Sequence, residues 1–128
     1  MVIDPISDIL TRIRNANLVR HQIVKIPFTK ISKAIIVIFK NEGFIEDFEI
    51  LDETIVVRLK YKGKLRKPII SKIQRISKPG LRVYSNSSNL PKILNNLGVA
   101  IISTSYGIIT NLKAKELGIG GEVLCYIW

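Results

Sequence analysis

The sequence has one cysteine and one histidine among its 128 residues, Cys125 and His21. An internal disulfide is therefore excluded, and a protein-made zinc site of the usual four-ligand kind lacks its ligands. The same scarcity removes Cys/His nucleophilic pairs and histidine-containing triads, which disfavours an enzyme and leaves only less common catalytic designs. Long apolar runs are missing too. The longest, Ala34 to Phe39, has six residues, whereas a helix needs about 20 to cross a bilayer. The opening residues Met1 to Pro5 lack the basic start and apolar core of a signal peptide, and the early Asp4 argues against a transit peptide. The expectation is a protein that works where it is made, in a reducing compartment.

The most informative scarcity is of negative charge over half the chain. Residues 1–53 hold seven Lys/Arg and eight Asp/Glu, residues 54–115 hold thirteen Lys/Arg and no acid, and residues 116–128 hold two acids, for a net charge of +10. A stretch of 62 residues without a carboxylate cannot neutralise its own cations, so an external polyanion is the expected partner. Nucleic acid fits better than an anionic membrane surface or a basic face that merely aids solubility, because neither of these accounts for the one-sided segregation.

What is present is ordinary for a folded chain: 47% hydrophobic and 23% charged residues, enough for one domain or two small ones. Asp4 can cap a first helix with Pro5 at its first position, and Ile6, Ile9, Leu10 and Ile13 then share one face while Arg12, Arg14 and Asn15 point elsewhere. Val24 to Ile26 reads as a strand stopped by Pro27. Thr29 can cap a second helix carrying Ile31, Ala34, Ile35, Ile38 and Phe39 as far as Gly43. From Phe44 to Tyr61 the alternation is that of a β-hairpin, Lys62 to Lys64 form a cationic turn, and Ile69 to Ile76 reads as a further strand ending at Pro79-Gly80. The second half predicts short strands and one-turn helices. Leu81 to Tyr84 is a strand, residues 85–89 a polar loop and residues 90–94 a brief helix. Val99 to Ile102 and Ile108 to Thr110 flank Ser103 to Gly107 as a hairpin, Asn111 caps a helix closed by Gly118, and Glu122 to Trp128 is the final strand. The fold class is α+β, with an α-β-α-β-β amino-terminal domain over residues 1–66 and a mostly β carboxy-terminal domain over residues 67–128.

Chemistry concentrates near the end of the chain. Ser103, Thr104 and Ser105 offer hydroxyls short enough to approach base edges or sugar hydroxyls, and Gly107 lets the backbone turn behind Tyr106; an ordinary polar turn would look the same in isolation. Gly118 to Gly121 could bring amide groups to a phosphate or simply stop a helix, and the spacing is not that of a nucleotide-binding loop. Glu122 beside an RNA surface would need donors, from base amino groups or from serine hydroxyls, or else act as a structural cap. Tyr84 and Tyr106 could stack on bases. Lys60, Lys62, Lys64, Arg66 and Lys67 could meet phosphate or be a solvated cationic hairpin. Cys125 reads as a small buried hydrophobe. The carboxylates Asp47, Glu49, Asp52 and Glu53 lie on an exposed hairpin with no pocket evident.

Several separated motifs in order resemble the bacterial-type small-subunit ribosomal protein number eight over essentially the whole chain. They are Asp4-Pro5-Ile6-Ser7-Asp8 with Leu10-Thr11-Arg12-Ile13-Arg14-Asn15, then Glu42-Gly43-Phe44-Ile45, then Lys78-Pro79-Gly80-Leu81-Arg82-Val83-Tyr84, Leu90-Pro91, Ser103-Thr104-Ser105 with Gly107, and Gly118-Ile119-Gly120-Gly121-Glu122-Val123-Leu124-Cys125-Tyr126. The resemblance implies a non-catalytic constituent of the small ribosomal subunit that needs no cofactor or metal and takes no small-molecule substrate. It implies that the carboxy-terminal domain grips a helical stem in the central domain of small-subunit RNA, supporting assembly and translation beside neighbouring ribosomal proteins. Ser103, Thr104, Ser105, Gly120, Gly121 and Glu122 would form the specific RNA surface, with Tyr84 close by and Thr11, Arg12, Arg14 and Lys30 in secondary contacts. Two positions depart from the family pattern: Tyr106 stands where a basic residue is usual, and Asn86 lies in a loop that is often more basic, so stacking could replace some electrostatic attraction. The ending Tyr126-Ile127-Trp128 and the Ile/Lys/Asn-rich composition look like plastid members; an AT-rich bacterial genome would leave a similar stamp.

Two rival classes fit the sequence less well. A metal-dependent nuclease needs clustered carboxylates facing a basic groove, yet most acids lie in the first 53 residues. A peripheral membrane protein needs a basic amphipathic helix, yet most of the excess charge falls on predicted strands and turns.

Overall fold

The computed structural model describes residues 4–86 and 98–128, so the expected helix at residues 90–94 and most of the expected loop at 85–89 lie outside the described residues. The chain divides into two compact units, Pro5–Ser71 and Lys72–Trp128, with Asp4 counted to the second. The class is α+β.

The first unit opens with α1 (Pro5–Leu18) and β1 (Ile23–Pro27), followed by α2 (Lys30–Asn41) and the hairpin β2 (Ile45–Leu51) and β3 (Thr54–Leu59). Ile6, Ile9, Leu10 and Ile13 are buried as the helical spacing requires. In α2, Thr29 closes a capping box with Ser32: the Ser32 amide donates to Thr29 Oγ1 at 2.9 Å and the Thr29 amide donates to Ser32 Oγ at 2.7 Å. The helix ends by paired backbone bonds, Gly43 amide to Lys40 carbonyl and Phe44 amide to Phe39 carbonyl, with Gly43 at φ +80°. That turn brings the Phe44 ring edge-on to Phe39, 6.4 Å between centroids. Ile36 joins the core, whereas the expected Ile31, in the first turn of α2, is exposed although it shares the helical face of Ile35 and Phe39. The sheet order is β1-β3-β2, all antiparallel, with Ile55, Val57 and Leu59 of the central strand buried on one face. A minimal two-stranded sheet follows, β4 (Tyr61–Lys62) against β5 (Lys67–Pro68).

In the second unit, β6 (Ile73–Arg75), β7 (Tyr84–Ser85), β8 (Val99–Thr104), β9 (Gly107–Thr110) and β10 (Gly121–Ile127) make one sheet, and α3 (Asn111–Leu117) packs on β8. Strand β10 pairs with β6, β7 and β8, all antiparallel. Ala100, Ile102 and Val123 form a buried cluster against Ile76, Val83, Tyr126 and Trp128, while Ile101, Cys125 and Ile127 are fully buried beside them.

Three local expectations are corrected. The run Ile69 to Ile76 is a strand only over Ile73–Arg75. Leu81 makes an isolated bridge with Lys78, closing the Pro79-Gly80 turn, and the strand begins only at Tyr84. The cap of α3 is Thr110, whose hydroxyl accepts from the Lys113 amide, and Asn111 is instead buried with its Oδ1 accepting from the Ala100 amide at 3.1 Å. Both residues are good caps, so the choice was settled by which of them could serve the strand beside it. The Asp4 carboxylate, directly ahead of Pro5 in the sequence, also forms an ion pair with the Arg75 guanidinium, at 3.2 Å.

Candidate nucleic-acid interface

Strand β10 stands between β7 and β8, and at Glu122 its register meets both: Glu122 lies opposite Tyr84 on one side and Ser103 on the other. Residues directly opposite in antiparallel strands point to the same face. Segments far apart in sequence, around residues 84, 103 and 122, are thus side by side at one end of one sheet.

The β8–β9 hairpin extends this end. Thr104 pairs with Gly107, leaving Ser105 and Tyr106 as a two-residue tip. Gly107 sits at φ +107°, a conformation that side chains rarely adopt. The Thr104 hydroxyl donates to the Gly107 carbonyl at 2.8 Å and accepts from the Tyr106 amide at 3.1 Å. Of the three expected hydroxyls, then, Thr104 is committed to holding the turn, Ser103 is half-buried, and Ser105 is exposed. Tyr106 and Tyr84 are 74% and 70% exposed, two rings open to stacking.

The two glycines have a packing reason. A Cβ on Gly120 would collide with the Ser85 carbonyl and the Asn86 backbone, and one on Gly121 with the Ser103 carbonyl. They are small because strands β7 and β8 press against β10, which accounts for them without a phosphate.

Glu122 already has donors. Its carboxylate accepts from Ser77 Oγ at 2.5 Å and from Arg82 Nη1 at 2.8 Å. Ser77 is fully buried and its hydroxyl also accepts from the Val83 amide at 3.1 Å. Burial pushes the Glu122 carboxyl up, but hydrogen bonds from Ser77 and Arg82, with the charges of Arg82 and Arg75, outweigh it and hold the carboxyl below its ordinary value. The reciprocal bond raises Arg82. Sequence reasoning missed Ser77 and Arg82 as the residues that position Glu122. Their only signal was membership of the Lys78-to-Tyr84 motif and its flank, where a 45-residue separation from Glu122 hides the contact.

Thr11, Arg12, Arg14 and Lys30 belong to the other unit and are all exposed. Arg12 is partly occupied: it donates to Asp8 at 3.0 Å and to the Lys25 carbonyl at 3.3 Å. The acid-free stretch also borrows neutralisation from outside, since Arg75 pairs with Asp4, Arg82 with Glu122 and Lys113 with Glu116. Among the described residues no three His, Cys, Asp or Glu side chains gather to hold a metal ion, and no helix is long and apolar enough to cross a membrane.

The arrangement offers hydroxyl donors and acceptors, two exposed aromatic faces and a neutralised acid. Comparison with known proteins agrees in kind. The family model described as ribosomal protein S8 matches residues 4–128. The chain is 70% identical to small ribosomal subunit protein uS8c of Phaeodactylum tricornutum and 69% identical to the protein of that name from Trieres chinensis, with all of each chain covered. It is 57% identical to small ribosomal subunit protein uS8 of Thermosynechococcus vestitus, over 98% of this chain and 97% of that one.

Proposed function

The chain belongs to the ribosomal protein S8 family, and from that premise we propose that it is a structural constituent of the small ribosomal subunit that holds a helical stem of small-subunit RNA through its second unit. It is not an enzyme. The observation that carries the RNA reading is the convergence at Glu122, whose register sets Tyr84 and Ser103 on either side while the hairpin tip puts Ser105 and Tyr106 forward. In this reading Ser105 and Ser103 bond to base edges or sugar hydroxyls of an irregular stem, and Tyr106 and Tyr84 stack on unpaired bases. Gly107, Gly120, Gly121, Thr104 and Glu122 shape that surface, the three glycines through backbone geometry, Thr104 through its hydroxyl and Glu122 by fixing Arg82 next to Tyr84. Thr11, Arg12, Arg14 and Lys30 supply secondary contacts from the first unit.

The stem lies in the central domain of the subunit RNA, and holding it supports subunit assembly beside neighbouring ribosomal proteins. The greater identity to the diatom uS8c proteins than to a cyanobacterial uS8 supports a plastid ribosome as the setting. Hydroxyl-radical footprinting of the protein on small-subunit RNA tests the assignment. Protection confined to one central-domain stem is the expected result, and protection scattered over many duplexes contradicts it.

A further inference from the structure

The first unit carries a cationic device that the surface around Glu122 does not use. Strands β4 and β5 pair with Tyr61 opposite Pro68 and Lys62 opposite Lys67. Two lysines therefore face each other directly across an antiparallel pair, a placement in which like charges repel. The repulsion is not relieved within the protein: among the described residues none of Lys60, Lys62, Lys64, Arg66 and Lys67 pairs with a carboxylate, and all five are exposed. The turn between the strands is nevertheless well defined. Gly63 and Arg66 both hold positive φ, at 76° and 52°, and the Arg66 amide donates to the Gly63 carbonyl at 3.2 Å. The Arg66 guanidinium lies over the Tyr61 ring, 5.1 Å from its centroid, and the Tyr61 hydroxyl donates to the His21 carbonyl. The Ile69 amide donates to the Lys60 carbonyl at 3.1 Å, closing the base of the hairpin.

A short hairpin fastened at its base that keeps two like charges in register is arranged for an anion between them. We propose that Lys62 and Lys67 share one backbone phosphate of the ribosomal RNA, with Arg66, over the Tyr61 ring, placed for an adjacent one. This rests on the RNA-binding reading above and adds a second anchor to it. Lysines act as point charges toward phosphate and read no base, so the anchor adds affinity and salt dependence without adding preference for one stem.

The test is a salt titration of the full chain binding to the central-domain stem and to a regular duplex of equal length, for the wild type, the Lys62→Ala/Lys67→Ala double variant and Lys67→Glu. Each phosphate contact contributes about 0.7 to 0.9 to the slope of log affinity against log salt. Loss of the one phosphate that the two lysines share should therefore flatten the slope by about 0.7 to 0.9, with the stem-to-duplex preference unchanged. Lys67→Glu turns the like-charge pair into an opposite-charge one, so its thermal midpoint should match or exceed the wild type's while its RNA affinity falls; that separates lost binding from lost folding. An unchanged slope and affinity in both variants, with the wild type still preferring the stem, would overturn the hairpin anchor alone. Absence of RNA binding by the wild type would overturn the RNA reading along with it.

Discussion

Arg82 donates from Nη1 to the Glu122 carboxylate at 2.8 Å, and that bond crosses from the turn before β7 to the start of β10. It explains how an acid can sit inside a surface assigned to a polyanion: the charge is spent on Arg82 and on the buried hydroxyl of Ser77. Without those donors, a carboxylate at this place would repel phosphate.

A pH dependence follows with a definite sign. The Glu122 carboxyl is held below its ordinary value in the folded protein, so its contribution to stability is present above the unfolded value and fades as pH falls through the folded one. Denaturation measured over an acid pH series should show the wild type losing stability in that window and Glu122→Gln losing less of it. Equal acid sensitivity in the two proteins would show that ionisation of Glu122 contributes nothing to stability.

Gly121→Ala separates two explanations of the glycine pair. A Cβ there meets the Ser103 carbonyl, and the resulting overpacking should cost about 1 to 3 kcal/mol, read as a lower thermal midpoint. If the glycine existed only to let a phosphate approach, the midpoint would hold and RNA binding alone would weaken.

Cys125 is fully buried on β10, and desolvation pushes its thiol up to about 12. A disulfide reagent at neutral pH should leave it unmodified in the folded protein and modify it fully in denaturant, since the thiolate is the reactive form. Rapid labelling of the native protein would show that β10 opens readily.

The sequence discloses elements whose signal is local. The spacing of Ile6, Ile9, Leu10 and Ile13, the Thr29 cap and the Ser103-to-Gly107 hairpin all appear where periodicity and turn chemistry put them. Competition among equally suited residues is less legible: Thr110 and Asn111 can each cap a helix, and only the neighbouring Ala100 amide decides between them. The roles of Gly120 and Gly121 were hidden because the collision partners, Ser85 and Ser103, come from other strands. The donors to Glu122 were hidden for the same reason, since a separation of 40 residues or more leaves no local trace. Lys62 facing Lys67 depends on a strand register that composition shows only as a cationic run.

The measurement that bears most directly on the RNA reading is the equilibrium affinity of the wild type and of Ser105→Ala for the central-domain stem and for a regular duplex of equal length, at fixed salt. Ser105 is exposed at the hairpin tip, outside the core, so its loss should leave the fold intact while removing one hydrogen bond of about 0.5 to 1.5 kcal/mol, roughly a two- to twelvefold loss of affinity. The account predicts that the wild type prefers the stem and that Ser105→Ala reduces that preference without changing duplex binding. Equal affinity of the wild type for both RNAs, untouched by Ser105→Ala, would contradict it and leave a polyanion binder without a reading surface.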